Sequence, residues 1–196
     1  MAEPATASSP RREELLDQAY RYALRHGLVD LSLRPLAAAI GSSPRVLLFL
    51  FGSKDGLVRA LLARARADEL ALLDQARRDV DSVDLAGAVR VTWQWLVDPR
   101  HRQLLVLWLE AYARSLSEPD GPWADFARQT VHDWLALLSE AQRCDAHPDD
   151  GDAAAAERAL ALAVLRGALL DLLATGDTER ATAAVERYLA LTAQPR

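Results

Sequence analysis

The stretch that decides the fold runs from Ser32 to Val58 and has the sequence SLRPLAAAIGSSPRVLLFLFGSKDGLV. Two breaks, at Gly41–Ser43 and at Gly52–Ser53, divide it into two short helices and the start of a longer one. A serine stands immediately before each helix, where its hydroxyl can accept a hydrogen bond from a free backbone N–H. Pro44 falls at the first position of the second short helix, where proline is favoured.

Helical patterns continue on both sides of this stretch. Before it, apolar residues at helical spacing predict a first helix over residues 10–26, which Gly27 ends. After it, breaks rich in Pro, Gly and Asp separate helices predicted at residues 54–79, 84–97, 100–117, 121–144, 152–174 and 178–193. The sequence therefore predicts an all-α protein of nine helices with no strand.

The composition agrees with a folded protein of the cytoplasm. Hydrophobic residues make up 51% and charged residues 26% of the chain, as in ordinary globular domains. The lone Cys144 excludes an internal disulfide, and a small buried apolar role is expected for it. No apolar run reaches transmembrane length, and residues 1–9 have the composition of a disordered tail rather than of a signal peptide. We expect a cytoplasmic protein without a membrane partner.

The net charge of −5 argues at first sight against a nucleic-acid partner, but the charges are unevenly distributed. Residues 1–55 carry seven basic and six acidic residues, whereas the remainder carries 16 basic and 22 acidic residues. Phosphates respond to a local basic surface rather than to the charge of the whole protein. The N-terminal part of the chain is therefore compatible with DNA binding.

The two short helices joined at Gly41–Ser43 form a helix-turn-helix pattern, in which the second helix can enter a major groove. Spacing alone leaves a plain helical hairpin open. The stretch is, however, similar to the signature of TetR-family regulators at Ser32, Arg34, Leu36, Ala37, Gly41, Ser43, Phe51, Gly52–Asp55 and Leu57. The resemblance is strong over about the first 65 residues. Beyond them it rests on helix number and length and on Thr175–Asp177 before an amphipathic last helix.

The resemblance implies a helix-turn-helix DNA-binding domain at residues 10–53 and a larger helical-bundle domain for ligand binding and dimerisation at residues 54–196. It implies a transcriptional regulator, expected to be a repressor, that a small apolar or aromatic effector releases from a palindromic double-stranded DNA operator. Two alternatives remain: a helical dimeric ligand-binding protein with weak or lost DNA binding, and an enzyme. The sequence has no metal-binding, phosphate-binding or catalytic motif, so no catalytic residue, metal or cofactor is expected.

The predicted DNA-binding residues are Arg12, Ser32, Arg34, Ser43, Arg45, Phe49 and Lys54. Arg45 lies at the start of the third helix and can pair with guanine, contact a phosphate or remain a solvated charge. Phe49 can contact a thymine methyl or pack in the core. Many relatives have Tyr followed by His or Tyr where this chain has Leu48 and Phe49, which cannot donate to a phosphate. The departure predicts weaker phosphate anchoring.

Aromatic residues in the larger domain are candidates for the effector site: Trp93, Trp108, Tyr112, Trp123, Phe126 and Trp134. Their alternative role is simply to fill the core. The last two helices are apolar on more than one side, with Leu160 and Gly167 on one side and Leu162 and Leu169 on another. In the family, such a surface pairs with the same helices of a second subunit, so a homodimer is expected.

Overall fold

The computed structural model describes residues 10–28, 30–78, 84–142 and 151–193. Within these ranges the chain forms nine α-helices, one short 3₁₀ turn at Pro99–His101 and no strand. The helices are α1 (Pro10–His26), α2 (Leu33–Ala39), α3 (Pro44–Phe51), α4 (Lys54–Arg78), α5 (Leu85–Val97), α6 (Arg102–Ser117), α7 (Phe126–Gln142), α8 (Gly151–Thr175) and α9 (Thr178–Thr192). The prediction of an all-α fold with nine helices is confirmed. The predicted tail and Cys144 lie outside the described residues.

The helices are distributed over two compact units. One unit contains the described residues up to Ala67 together with Leu107–Ala127, and the other contains Asp68–Val106 together with the described residues from Arg128 onward. The domain boundary predicted after residue 53 divides the chain by function, with DNA binding before it and ligand binding and dimerisation after it. The two units of the structure are instead defined by which residues pack together. The functional boundary stays a prediction.

In the first unit, α1, α2 and α3 share a small apolar core. Leu15, Leu36 and Leu47, one from each helix, are all 1% exposed or less. The four residues Ile40–Ser43 join α2 to α3, and the chain bends by 102° between the two helices. Helix-turn-helix pairs have this connection length and cross at about 90–120°. The helix-turn-helix pattern predicted from the sequence is therefore present.

The junction between α3 and α4 depends on two glycines. Gly52 has a φ of +77°, which only glycine adopts without strain. A Cβ atom on Gly56 would lie 2.0 Å from the carbonyl oxygen of Phe51, far inside van der Waals contact. Ser53 begins α4 by accepting a hydrogen bond from the Gly56 N–H at 2.9 Å, which confirms its predicted role as a cap. The short G-S-K-D-G segment thus fixes where α3 ends and α4 begins.

In the second unit, α5 packs against both α8 and α9. Asp84 caps α5 through the Gly87 N–H at 2.7 Å, and the Trp93 indole on α5 donates to Thr182 Oγ1 on α9 at 3.0 Å. At the other end of α5, hydrogen bonds from the side chain and backbone of Arg100 lower the pKa of Asp98 to about 2. This ion pair stabilises the 3₁₀ turn that precedes α6.

The chain between α6 and α7 differs from the prediction. A helix was expected from residue 121, but residues 121–125 form turns and α7 begins at Phe126. Asp125 has a φ of +64°, which is incompatible with a right-handed helix. Trp123 therefore lies in the turn before α7, where it is 5% exposed. The Ser115 hydroxyl closes this connection by accepting from the Ala127 N–H at 3.2 Å.

Candidate DNA-binding surface

The first turn of α3 is built as the sequence predicts. Ser43 has an extended backbone and its Oγ accepts from the Val46 N–H at 3.3 Å, and Pro44 follows at the first helical position. The cap satisfies one of the free N–H groups at this end of the helix. The remaining groups and the helix dipole favour an anion. Arg45 is exposed beside this terminus, so the start of α3 suits a polyanionic partner.

The two sides of α3 differ sharply in exposure. Leu47 and Phe51 are buried in the unit. The opposite side, called here the α3 outer face, consists of Arg45, Val46, Leu48 and Phe49, and Phe49 is 86% exposed. Phe49 therefore does not pack in the core, which removes the alternative role considered for it. Arg45 is the only residue of α3 with a polar side chain, so the outer face combines one cation with an apolar surface.

Three further predicted residues, Ser32, Arg34 and Lys54, are exposed. Ser32 occupies the predicted N-cap position of α2 with an extended backbone, but its side chain makes no capping hydrogen bond. Lys54 is the first residue of α4. Among the described residues, the side chains of Arg34, Arg45 and Lys54 form no ion pair with a carboxylate. These cations are available to phosphates.

Arg12 has a structural contact that the sequence did not indicate. Its Nε donates to the Leu50 carbonyl oxygen at 3.4 Å, and its guanidinium lies 4.8 Å from the centre of the Phe51 ring. Arg12 thereby links α1 to the C-terminal end of α3. The contact of Arg12 with DNA stays a prediction. The structure adds a second role for Arg12, which is to hold the end of α3 against α1.

Glu110 on α6 is a second residue that sequence reasoning missed. Its carboxylate oxygens lie 3.0 and 3.2 Å from the Leu28 backbone N–H, immediately after α1. A Cβ atom on Gly27 would lie 3.3 Å from the same carboxylate, and Gly27 has a φ of +78°. The turn after α1 is therefore shaped around Glu110. The signal available in the sequence was a single carboxylate within the apolar run LLVLWLEAYA.

The six aromatic residues predicted for the effector site are divided between the two units. Trp108 and Tyr112 lie one turn apart on α6, with ring centres 5.1 Å apart, and Trp123 and Phe126 are buried in the same unit. In the second unit, the indole of Trp93 donates to Thr182 and that of Trp134 donates to Glu69, both at 3.0 Å.

The indole N–H groups of Trp93 and Trp134 are hydrogen-bonded, whereas that of Trp108 is not, among the described residues. Within the described part of the chain, the buried Trp108 Nε1 has no hydrogen-bond partner. Since a buried donor without an acceptor costs free energy, Trp108 differs from the two tryptophans whose indoles are satisfied. Among the six candidates this condition applies to Trp108, and it is shared by the buried Nε1 of Trp95 on α5, which was not a candidate.

Neither a metal cluster nor a membrane-spanning helix is found in the described ranges. No group of three or more His, Cys, Asp or Glu side chains there could hold a metal ion. None of the individual helices there is both long and apolar enough to cross a membrane, and only the bent α2–α3 pair meets the length and composition criteria.

No family model matches the sequence. Among characterised proteins, the chain is 30% identical over 145 residues to the HTH-type transcriptional repressor AcnR of Corynebacterium efficiens. The match covers 72% of this chain and 71% of that protein. The chain belongs to the TetR family of transcriptional regulators. It is also 30% identical over 140 residues to the HTH-type regulator BetI of Rhizobium meliloti; this match covers 69% of the chain and 54% of BetI, about half the length of that relative.

Solved structures of TetR-family regulators have the same fold. A regulator from Rhodococcus sp. Rha1 superposes with a TM-score of 0.73 at 22% identity, covering 92% of this chain and 94% of that one. A TetR regulator from Legionella pneumophila gives 0.72 at 16% identity, covering 96% and 100%. The multidrug binding protein EbrR, complexed with proflavin, gives 0.62 at 28% identity, covering 90% and 98%.

Proposed function

We propose that this TetR-family protein is a homodimeric repressor that binds a palindromic operator through α3 and is released by a small apolar or aromatic effector. The observation that carries the proposal is the α3 outer face. It is exposed, it begins at a capped helix terminus, and its one cation has no carboxylate partner among the described residues.

The dimensions and charges of the helix-turn-helix unit suit a major groove. An α-helix with its side chains is about 10–12 Å in diameter, comparable with the groove's width of about 12 Å. Arg45 can donate two hydrogen bonds to a guanine edge. Lys54 stands at a helix N-terminus, where the dipole disfavours a cation and a phosphate would offset that cost. Arg34 and the hydroxyls of Ser32 and Ser43 can contact the backbone of the same DNA segment.

A second copy of the chain is proposed to pack on α8. One face of this helix exposes six small or apolar residues at alternating spacings of four and three: Ala156, Leu160, Ala163, Gly167, Leu170 and Ala174. This set is called here the α8 stripe. The opposite face, with Leu162 and Leu169, is buried in the chain's own unit. Spacings of four and three are those of helices that pack side by side over several turns.

The α8 stripe also refines the predicted dimer interface on α9. Val185 and Leu189 on α9 are 1% and 7% exposed within a single chain, so they pack inside the chain's own unit and are not available to a partner. A two-fold axis through paired stripes makes the interface self-complementary. A dimer that binds a palindromic operator is expected to contact half-sites about 34–36 Å apart, or a multiple of that distance.

The effector is proposed to bind beside Trp108 and Tyr112. An apolar or aromatic molecule carrying one hydrogen-bond acceptor would stack on these rings and satisfy the buried Trp108 N–H. The relative EbrR, whose solved complex contains proflavin, supports a planar aromatic effector. The contributions of Trp93, Trp123, Phe126 and Trp134 stay predictions. Release follows if the effector prefers a conformation with lower operator affinity.

A helical dimer that has lost DNA binding is the second candidate function. The observation in its favour is that Leu48 and Phe49 give α3 no donor for a phosphate. The cations Arg34, Arg45 and Lys54, which pair with no carboxylate in the described ranges, favour the repressor. Because a repressor requires access to chromosomal DNA, we further propose that the protein acts in the cytoplasm without a membrane partner.

Selection of genomic DNA fragments by the purified protein at low and moderate salt tests the proposal. We expect recovery of fragments that share an inverted repeat, a protected footprint spanning both half-sites, and loss of the footprint with planar aromatic compounds such as proflavin. Reduced transcription from the bound fragment would support repression. Recovery of no fragment above background at either salt concentration would contradict DNA binding and favour the second candidate function.

A further inference from the structure

We propose that the α3 outer face recognises thymine methyl groups and that Phe49 is the residue that makes this contact. The inference rests on the proposed function, because it concerns how the same surface distinguishes operator from other DNA. It adds apolar contact to the hydrogen bonds of Arg45 as a source of sequence preference.

The exposure pattern leads to this assignment. Phe49 is 86% exposed, and its neighbours Val46 and Leu48 are 38% and 41% exposed. These side chains have no hydrogen-bonding group, so they can lower the free energy of a complex only by covering apolar surface. In a major groove the thymine C5-methyl is the apolar group presented by a base edge. A thymine is therefore the base that fits this part of the helix.

The location of the apolar residues favours DNA over a protein partner. Arg45 lies one helical turn before Phe49, on the same face, and the N-terminal end of α3 attracts anions. A second copy of the chain has a longer and more regular apolar surface in the α8 stripe. The α3 outer face is short, convex and joined to a cation, which matches a groove whose walls are phosphates.

The helix geometry also predicts the arrangement of bases. Arg45 and Phe49 are four residues apart, which corresponds to about 6 Å along the helix axis at about 1.5 Å per residue. Successive base pairs are about 3.4 Å apart. Each half-site is therefore expected to contain a guanine and a thymine separated by about two base-pair steps.

Replacement of thymine by deoxyuridine tests the contact, because it removes only the methyl group. Each operator thymine is replaced in turn, symmetrically in both half-sites, and Kd is measured by fluorescence anisotropy at one salt concentration. Loss of one buried methyl corresponds to about a fourfold change in Kd, and loss of two to about 15-fold. We expect this loss for wild type at one thymine position per half-site, and none at that position for Phe49→Ala. The variant Arg45→Ala should keep the sensitivity to deoxyuridine.

Three outcomes would overturn the inference. Equal affinity of wild type for thymine and deoxyuridine at every position would remove methyl recognition while leaving operator binding intact. Unchanged operator affinity of Phe49→Ala together with reduced self-association would assign the face to a second copy of the chain. Failure of wild type to bind any DNA would contradict the proposed function and this inference together. Because Phe49 is exposed, circular dichroism should show the same melting curve for Phe49→Ala and wild type.

Discussion

The α3 outer face and the α8 stripe are both exposed and mainly apolar, but they differ in length, regularity and charge. The α3 outer face extends over the five residues Arg45–Phe49, contains one aromatic ring that is 86% exposed and includes the cation Arg45. The α8 stripe extends from Ala156 to Ala174, contains no charge and has Gly167 near its centre. Apolar exposure alone does not identify a partner. A cation beside a short patch suits DNA, whereas a long row of Leu, Ala and Gly suits another helix.

Charges placed in the α8 stripe should have the largest effect. Replacing Leu160 and Leu170 together by Glu would bury two unpaired carboxylates per chain in the proposed interface, at a cost of about 3–5 kcal/mol. We expect a monomeric mass by analytical ultracentrifugation at micromolar concentration, with helicity retained because both leucines are exposed in the single chain. Leu116→Glu, at an exposed leucine on α6, should leave the dimer intact. A dimer that survives the double change would rule out the stripe.

Substitution of Gly56 should damage the α3 outer face indirectly. In Gly56→Ala, the new Cβ would meet the Phe51 carbonyl oxygen at 2.0 Å, so α3 and α4 must move apart. We expect a loss of about 1–3 kcal/mol in the free energy of unfolding and weaker operator binding, with the dimer unaffected. Chemical denaturation and anisotropy check the two effects. Gly151→Ala, where a Cβ would meet nothing within 4 Å, is the control and should change neither.

The basic residues of the helix-turn-helix unit should separate specificity from general affinity. Arg45→Ala should cost about 1–3 kcal/mol of operator affinity and relax the preference at one base pair. Lys54→Ala should weaken all sequences alike and lower the slope of log K against log salt by about 1. The comparison requires binding curves at several salt concentrations on operator and random DNA. Identical profiles for the two variants would show that Arg45 does not contact a base.

The smallest effect is expected at Glu110. Glu110→Ala removes the acceptor of the Leu28 N–H, at a cost of about 1 kcal/mol in the free energy of unfolding. Glu110→Gln should recover part of it, because the amide oxygen can still accept. Thermal unfolding and operator affinity should change together, since the hydrogen bond holds the turn between α1 and α2. A change in stability without any change in operator affinity would show that this turn does not affect DNA binding.

The sequence predicted the parts of the fold that depend on local chemistry. The caps at Ser43 and Ser53 are confirmed, because a cap joins residues only three positions apart. Residues 121–125 were wrongly predicted as helix, since the left-handed backbone of Asp125 overrides an ordinary helical pattern.

Contacts between distant residues could not be predicted. Arg12 and Leu50 are 38 positions apart and Glu110 and Leu28 are 82 apart, so no spacing rule connects them. The exposure of Phe49 was likewise undecided, because its burial depends on how α3 is oriented against α1. The sequence thus predicted candidate DNA-binding residues on α3 and at the start of α4. It did not predict the contacts that hold α3 in place, such as that of Arg12 with Leu50.

The most direct test of the central claim is the ratio of Kd for random DNA to Kd for operator, measured for wild type and for the double variant Arg45→Ala/Phe49→Ala at one salt concentration. We predict a ratio of about 1,000 or more for wild type. For the double variant we predict a ratio lower by about 100-fold or more, since both contacts are lost in both half-sites, with little change in affinity for random DNA. An unchanged ratio in the double variant, or no preference in wild type, would contradict recognition of the operator by the α3 outer face.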